Sequence, residues 1–124
     1  MTMRDSIRRA QTGEPRENTT GSTTLEFCFP VDDPTFAGHF PTRPLLPGVF
    51  QLEIAHIAAE TVLKQRLSVR EIVKAKFLRP IIPEETVRVE LKLVEKPDTI
   101  QARAGFSVTG QPAGEAILHL ARVS

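Results

Sequence analysis

The chain has 124 residues, a net charge of +1 and one cysteine, and these values exclude several classes of protein. The length is typical of a single domain that can bury a core. The near-neutral charge argues against a general nucleic-acid binder, and Cys28 alone allows no intrachain disulfide and no metal-ligand cluster. No apolar run could span a bilayer, and the N-terminus does not resemble a signal peptide. The composition therefore predicts a small cytoplasmic protein with no metal and no cofactor.

The first 22 residues differ in composition from the rest. They are mostly polar, mix four arginines with three acidic residues, and end in a Thr-Thr-Gly-Ser run. Such a composition is typical of a flexible segment. We therefore predict a flexible N-terminal arm for residues 1–22, with at most a short helix around residues 4–11, followed by one domain over residues 23–124.

The remaining chain alternates between strand-like and helix-like patterns. Residues 23–29 place Leu25, Phe27 and Phe29 on one face, as a half-buried strand does. Residues 30–47 read as a loop, and residues 48–65 as a helix with so narrow a polar stripe that it must be buried. Strands are predicted at about 69–77, 86–95, 99–108 and 115–123, with turns at 83–85, 96–98 and 110–112. This order predicts an α+β fold with an antiparallel β-sheet wrapped around one long central helix.

The segment 38–53 reads GHFPTRPLLPGVFQLE and carries the most specific chemistry. Prolines at 41, 44 and 47 restrict the loop that presents His39. Gly48 follows the last proline at the helix start, where unpaired N–H groups can face a developing oxyanion. Glu53 follows on the helix. A histidine and a carboxylate so placed can act as general base and general acid near neutral pH.

This segment resembles the hotdog-fold 3-hydroxyacyl-acyl-carrier-protein dehydratases (FabZ/FabA-like), which share the GHFP loop, the Pro-Gly turn and the helical acid. The stretch KAKFLRPIIP at 74–83 is similar to a second motif of that family. The resemblance implies the hotdog fold, catalytic roles for His39 and Glu53, and an oxyanion role for the N–H of Gly48. It also implies substrate contacts at Phe40, Pro41 and Val49.

The same resemblance implies how the protein assembles. In the family, the histidine and the acid of one site come from opposite subunits of a dimer, and the acyl chain lies in an apolar tunnel at their interface. A homodimer, or a larger oligomer of dimers, is therefore expected here. The expected reaction converts a 3-hydroxyacyl thioester of acyl carrier protein, or of coenzyme A, to the trans-2-enoyl thioester.

Polar residues interrupt the otherwise apolar helix. Glu53, His56 and Glu60 share one face by their spacing, and Gln51 lies nearby. A buried carboxylate is costly without a partner, so Glu53 should meet a cation, a donor or a wet cavity. We expect His56 to be a hydrogen-bonded core or interface residue, and His119 to be structural or solvent-facing.

A basic cluster follows the helix. Six cations face one carboxylate between residues 64 and 79, and such a cluster can steer an acidic partner. Since acyl carrier proteins are acidic, the family resemblance favours carrier docking over a merely solvated edge. The cluster comprises Lys64, Arg66, Arg70, Lys74, Lys76 and Arg79, and the docking residues are predicted to be Arg43, Lys74, Lys76 and Arg79.

Some features depart from the family. Thr42 replaces a usual glycine beside the catalytic loop, and the N-terminal L-P-H-R-Y-P segment of housekeeping members has no counterpart here. The chain therefore reads as a shortened member, with chain length and pathway open. Two alternatives are kept: a hotdog acyl thioesterase, which would activate water with the helical acid, and a non-catalytic hotdog partner subunit.

Overall fold

The computed structural model describes residues 2–33 and 48–123. Of the predicted site residues, His39, Phe40, Pro41 and Arg43 lie outside the described residues, as does Thr42. The described elements are α1 (Met3–Ala10), β1 (Arg16–Glu17), β2 (Thr23–Cys28), α2 (Gly48–Leu63), β3 (Leu67–Phe77), β4 (Thr86–Glu95), β5 (Ile100–Val108) and β6 (Gln111–Arg122).

The six strands form one antiparallel sheet that wraps around α2. Their order is β1-β2-β4-β5-β6-β3, so the strand that follows α2 lies at one edge. Alternate residues of the central strands are buried on the face toward α2, where Val89, Ala104 and Leu118 are at most 4% exposed. The helix buries most of its own surface against this face, which explains its lack of a polar side. The predicted α+β hotdog architecture is confirmed.

The N-terminal segment differs from the predicted flexible arm. Helix α1 begins with a capping box between Thr2 and Asp5, and it packs against α2 and β2 with Ile7 fully buried. The chain then joins the sheet, because Thr12 N–H donates to Glu26 O at 2.8 Å and β1 pairs with β2. The segment is polar because only one side of α1 is buried, so low hydrophobicity did not mean disorder.

Strand β3 is an irregular edge strand. In the described structure it pairs with β6 alone, and its register shifts twice, between Val69 and Glu71 and between Ile72 and Lys74. These irregularities change which side chains face the helix. Val69 and Ile72 stand opposite the buried Leu120 and Leu118, so both lie on the α2 side of the sheet.

The turn between the last two strands lies earlier than predicted. We expected a turn at 110–112, but Thr109 and Gly110 form it, with φ of 49° and 80°, and β6 begins at Gln111. Two consecutive positive φ angles are typical of a two-residue hairpin, whose twist matches that of the strands. Pro112 therefore lies inside β6, two residues before Gly114, the first residue of β6 that pairs with β3.

Candidate active site

The described part of the site begins at the N-terminus of α2. Gly48 is the first helical residue, and a Cβ at this position would lie 2.8 Å from ring carbons of Phe77. A larger residue here would push against the Phe77 ring, so glycine lets the helix start approach β3 this closely. The N–H groups of the first helical turn have no partner within the helix, so they can stabilise negative charge. Val49, beside them, is 56% exposed.

Glu53 lies on α2, about 7.5 Å along the helix axis from Gly48, given a rise of 1.5 Å per residue. Its side chain is 24% exposed, so it is less buried than the helix pattern suggested. The expected partner is a cation: Arg4 of α1 donates from Nη1 to Glu53 Oε1 at 2.8 Å. The carboxylate is thus both held in place and accessible.

Glu60 anchors the other end of this cluster and is 5% exposed. It accepts hydrogen bonds from Arg4 Nη2, from Arg8 Nη2 at 3.2 Å and from the Leu67 N–H at 2.9 Å. Burial alone would raise the pKa of Glu60, but the Leu67 N–H and Arg4 outweigh it and lower the pKa below its usual value. Glu60 is therefore a buried, charged anchor for α1.

His56 lies between the two carboxylates. Its Nε2 is 2.6 Å from the carbonyl oxygen of Leu67 and 3.4 Å from Glu60 Oε2, and its Nδ1 is 3.4 Å from Glu53 Oε1. The ring is buried and hydrogen-bonded, as expected from the sequence. In contrast, His119 lies on the other face of the sheet, where its Nδ1 is 3.3 Å from Glu71 Oε1.

Sequence reasoning missed Arg4 and Arg8 as parts of this cluster, because their partners lie about 50 residues away. The available signals were local. Thr2 and Asp5 have the spacing of a capping box, and Ile7 and Ala10 have the spacing of a buried helical face. Together these would have predicted a docked helix that carries Arg4 and Arg8.

The predicted basic cluster is dispersed in the structure. Lys74 and Lys76 lie on the outer face of the sheet, and Lys74 Nζ contacts Glu115 Oε1 at 2.7 Å. Arg79, after β3, contacts Glu85 at 2.7 Å. The outer face adds Lys92 and Arg103, which line a depression of about 320 Å³ together with Glu90 and Glu115. Both cations were missed because they come from other strands.

Two negative findings apply to residues 2–33 and 48–123. No group of three or more histidine, cysteine, aspartate or glutamate side chains there has an arrangement that could hold a metal ion. No helix in this part of the chain is long and apolar enough to cross a membrane.

Comparisons with known proteins agree with this arrangement. The ApeI-like family, described as ApeI dehydratase, matches residues 15–115. The 3-hydroxyacyl-[acyl-carrier-protein] dehydratase FabZ of Histophilus somni is 35% identical over 101 residues, covering 74% of this chain and 67% of that protein. Among solved structures, the dehydratase heterocomplex ApeI:P from Xenorhabdus doucetiae matches with a TM-score of 0.74 and 26% identity, covering 90% of this chain and 96% of that chain. A hypothetical thioesterase with coenzyme A from Streptococcus pneumoniae, TM-score 0.68, covers 90% of this chain and 88% of that chain and shares only the fold, at 9% identity.

Proposed function

Because this chain belongs to the ApeI-like dehydratase family, we propose that it removes water from a 3-hydroxyacyl thioester carried by acyl carrier protein. The product is the trans-2-enoyl thioester. The proposal places the reaction in the cytoplasm, in fatty-acid synthesis or in a specialised lipid, polyketide or polyene pathway.

In the proposed reaction, His39 takes the C2 proton of the substrate as general base. The negative charge that develops on the thioester carbonyl oxygen is stabilised by the Gly48 N–H at the start of α2. Glu53 then gives a proton to the 3-hydroxyl as the C3–O bond breaks, and water leaves. Phe40, Pro41 and Val49 contact the acyl group. No metal or redox cofactor is required by these steps.

The placement of Glu53 is the observation that carries the proposal. A partly exposed carboxylate lies on a buried helix, about 7.5 Å along the axis from an N-terminus that can bind an oxyanion. The carboxylate is fixed by Arg4, so it is presented in one orientation.

The test is mass spectrometry of 3-hydroxyacyl carrier proteins of several chain lengths after incubation with the enzyme. We expect loss of one water, and we expect Glu53→Gln and His39→Ala each to lower kcat by roughly 100-fold or more, the contribution typical of a general acid or base. Glu71→Gln, on the outer face, serves as the matched control and should keep full activity. Release of free acid would instead support a thioesterase, and no turnover by the purified chain would support a partner subunit.

We also propose that the outer-face cations guide the acidic carrier protein. Lys74 and Lys76 lie on β3, and Lys92 on β4 and Arg103 on β5 lie on the same outer face of the sheet. Arg79 follows β3 in the sequence. Arg43 is also predicted to contribute. The carboxylates of Glu115 and Glu85 already neutralise Lys74 and Arg79 in part, so the long-range field should matter more than any one contact.

Charge reversal tests this docking surface. Lys76→Glu with Arg79→Glu should raise KM for carrier-linked substrate at low salt, with a smaller effect at moderate salt, and should leave a pantetheine or coenzyme A substrate unaffected. Lys96→Glu with Arg122→Glu is a matched control, since it reverses two charges at the far end of the sheet and also breaks one exposed ion pair. Equal losses on both substrates would exclude carrier docking here.

Finally, we propose that the working unit is a homodimer that forms along β3. This strand is 11 residues long and has one side without a partner strand in the described structure. Val69, Ile72 and Phe77 on its α2 side are between 41% and 51% exposed. A long, apolar, unpaired edge is unstable toward association, and a second copy would cover it.

A further inference from the structure

His56 has one ring nitrogen whose partner is clear and one that has none. Its Nε2 lies 2.6 Å from the carbonyl oxygen of Leu67, and a carbonyl oxygen can only accept, so Nε2 carries the proton of this bond. Its Nδ1 is buried, makes no hydrogen bond and lies 3.4 Å from Glu53 Oε1. A buried ring nitrogen therefore faces a carboxylate oxygen without a hydrogen bond between them.

A hydrogen bond between His56 Nδ1 and Glu53 Oε1 requires a proton on one of these two atoms. A neutral ring with its proton on Nε2 has a bare lone pair on Nδ1, and an ionised Glu53 offers only acceptor oxygens. A buried acceptor that faces another acceptor is unfavourable. A proton on either Nδ1 or Glu53 converts the contact into a hydrogen bond after a small rotation. We propose that His56 and Glu53 hold one proton between them, and that His56 is a positioning residue for the general acid.

Charged groups from α1 and α2 lie beside this pair. Arg4 of α1 donates from Nη1 to the same Glu53 Oε1 at 2.8 Å. Glu60 Oε2 lies 3.4 Å from His56 Nε2, and Arg8 of α1 contacts Glu60 Oε1 at 3.2 Å. From β3, Leu67 contributes backbone groups alone to this contact. Opposing charges thus surround the pair on both sides.

This inference rests on the proposed dehydration, in which the pair would supply the proton that leaves with the hydroxyl. As the C3–O bond breaks, the shared proton passes through Glu53 to the departing oxygen, and the C2 proton goes to His39. The pair is left as a carboxylate and a neutral ring that still donates from Nε2 to Leu67. Solvent then returns one proton to the pair and removes the C2 proton from His39, so the enzyme regains its starting state. The His56 side chain is 11% exposed, so it acts through Glu53 and does not itself reach the substrate.

Kinetics of His56→Gln test this role. The glutamine amide can still donate to the Leu67 carbonyl, but it places no titratable group beside Glu53. We expect kcat to fall by roughly 10-fold or more, as for partners that orient a reacting group, with KM nearly unchanged and one limb of the pH–rate profile displaced. The control is His119→Gln, which should match the wild type. A folded His56→Gln enzyme with wild-type kcat and pH profile would overturn the proposal.

A second measurement needs no turnover. Nitrogen-15 NMR follows the protonation of the His56 ring across pH in the wild type and in Glu53→Gln, and its midpoint should differ by about one pH unit or more, as for coupled sites. An unchanged midpoint would refute the shared proton, and this result decides if His56→Gln does not fold. If the wild type dehydrates no 3-hydroxyacyl substrate, the dehydratase proposal fails by itself, while the NMR result still judges the pairing.

Discussion

At the scale of single residues, the least expected feature is that a buried glutamate holds the N-terminal helix. Glu60 accepts hydrogen bonds from two of the arginines of α1, Arg4 and Arg8, and from a backbone N–H of β3. Buried charges are usually tolerated only when they are paired in this way. Glu53 draws on the same Arg4, so the side chain proposed for catalysis and the anchor of α1 depend on one guanidinium.

Glu60 should make stability sensitive to acid. Its pKa is lowered in the folded state, so the stabilisation is present above the unfolded value near 4.5 and is lost as the pH falls through the lower folded value. Glu60→Gln should cost about 1–3 kcal/mol at pH 7, the penalty for partners left without a buried acceptor. It should also flatten the pH dependence below about 4.5.

Urea unfolding of both proteins from pH 3 to pH 7 measures this difference. Glu71→Gln, an exposed carboxylate on the outer face, is the control and should leave the curve unchanged. A Glu60→Gln protein whose stability falls with acid as steeply as that of the wild type would contradict the assignment.

At the scale of elements, the contact between the start of α2 and the end of β3 sets how the site is built. Gly48 is predicted to supply an oxyanion N–H, and the same residue allows Phe77 to pack against the helix. Substitution by alanine keeps the N–H but adds a methyl group. Substitutions at Gly48 and Phe77 can therefore separate the packing role of Gly48 from its proposed role as an oxyanion donor.

Gly48→Ala should destabilise the protein by about 1–3 kcal/mol, because the added Cβ would lie 2.8 Å from the Phe77 ring. The cost should be near the lower limit, since Phe77 is 45% exposed and can move. In the Phe77→Ala background, Gly48→Ala should cost much less. Denaturant unfolding of the wild type, the two single variants and the double variant will measure this difference. Gly105→Ala is the control, as no atom lies within 4 Å of its added Cβ.

At the scale of the whole molecule, the sheet ends in an apolar edge. The dimer proposed above predicts that a charge on the α2 side of β3 weakens association. Ile72→Lys should shift the protein toward monomer in sedimentation velocity, because lysine would have to lose its hydration in the interface. Activity should fall with it if two subunits share each site.

The control for this prediction has the same chemistry at another place. Ile82 is 46% exposed, close to the 51% of Ile72, but it lies outside the strands. Ile82→Lys should leave the oligomeric state unchanged. If both variants sediment like the wild type, the dimer does not form along β3. A heteromeric partner would appear as a monomeric wild type that gains activity only in a complex.

The sequence predicted the fold because the patterns of α2, β4 and β5 are local and regular. Their bounds agree within two residues, since each element alternates or is apolar throughout. In β3 the two register shifts break the period of two. The sequence pattern therefore could not predict which face of the sheet carries Val69 and Ile72. The charge cluster was invisible for another reason: Arg4 and Glu60 are paired by tertiary structure, which no local pattern encodes. The roles of His39 and of the residues around it remain predictions.

The order of the strands also has a consequence for synthesis on the ribosome. Strand β3 is made before β4 and β5, but in the described structure it pairs only with β6, the last strand of the chain. At ~5–20 residues per second, β3 waits several seconds for β6 to be translated. During this time the apolar residues of β3 have no strand to cover them. Chaperone binding, or pairing with β3 of a neighbouring nascent chain, would act in this interval.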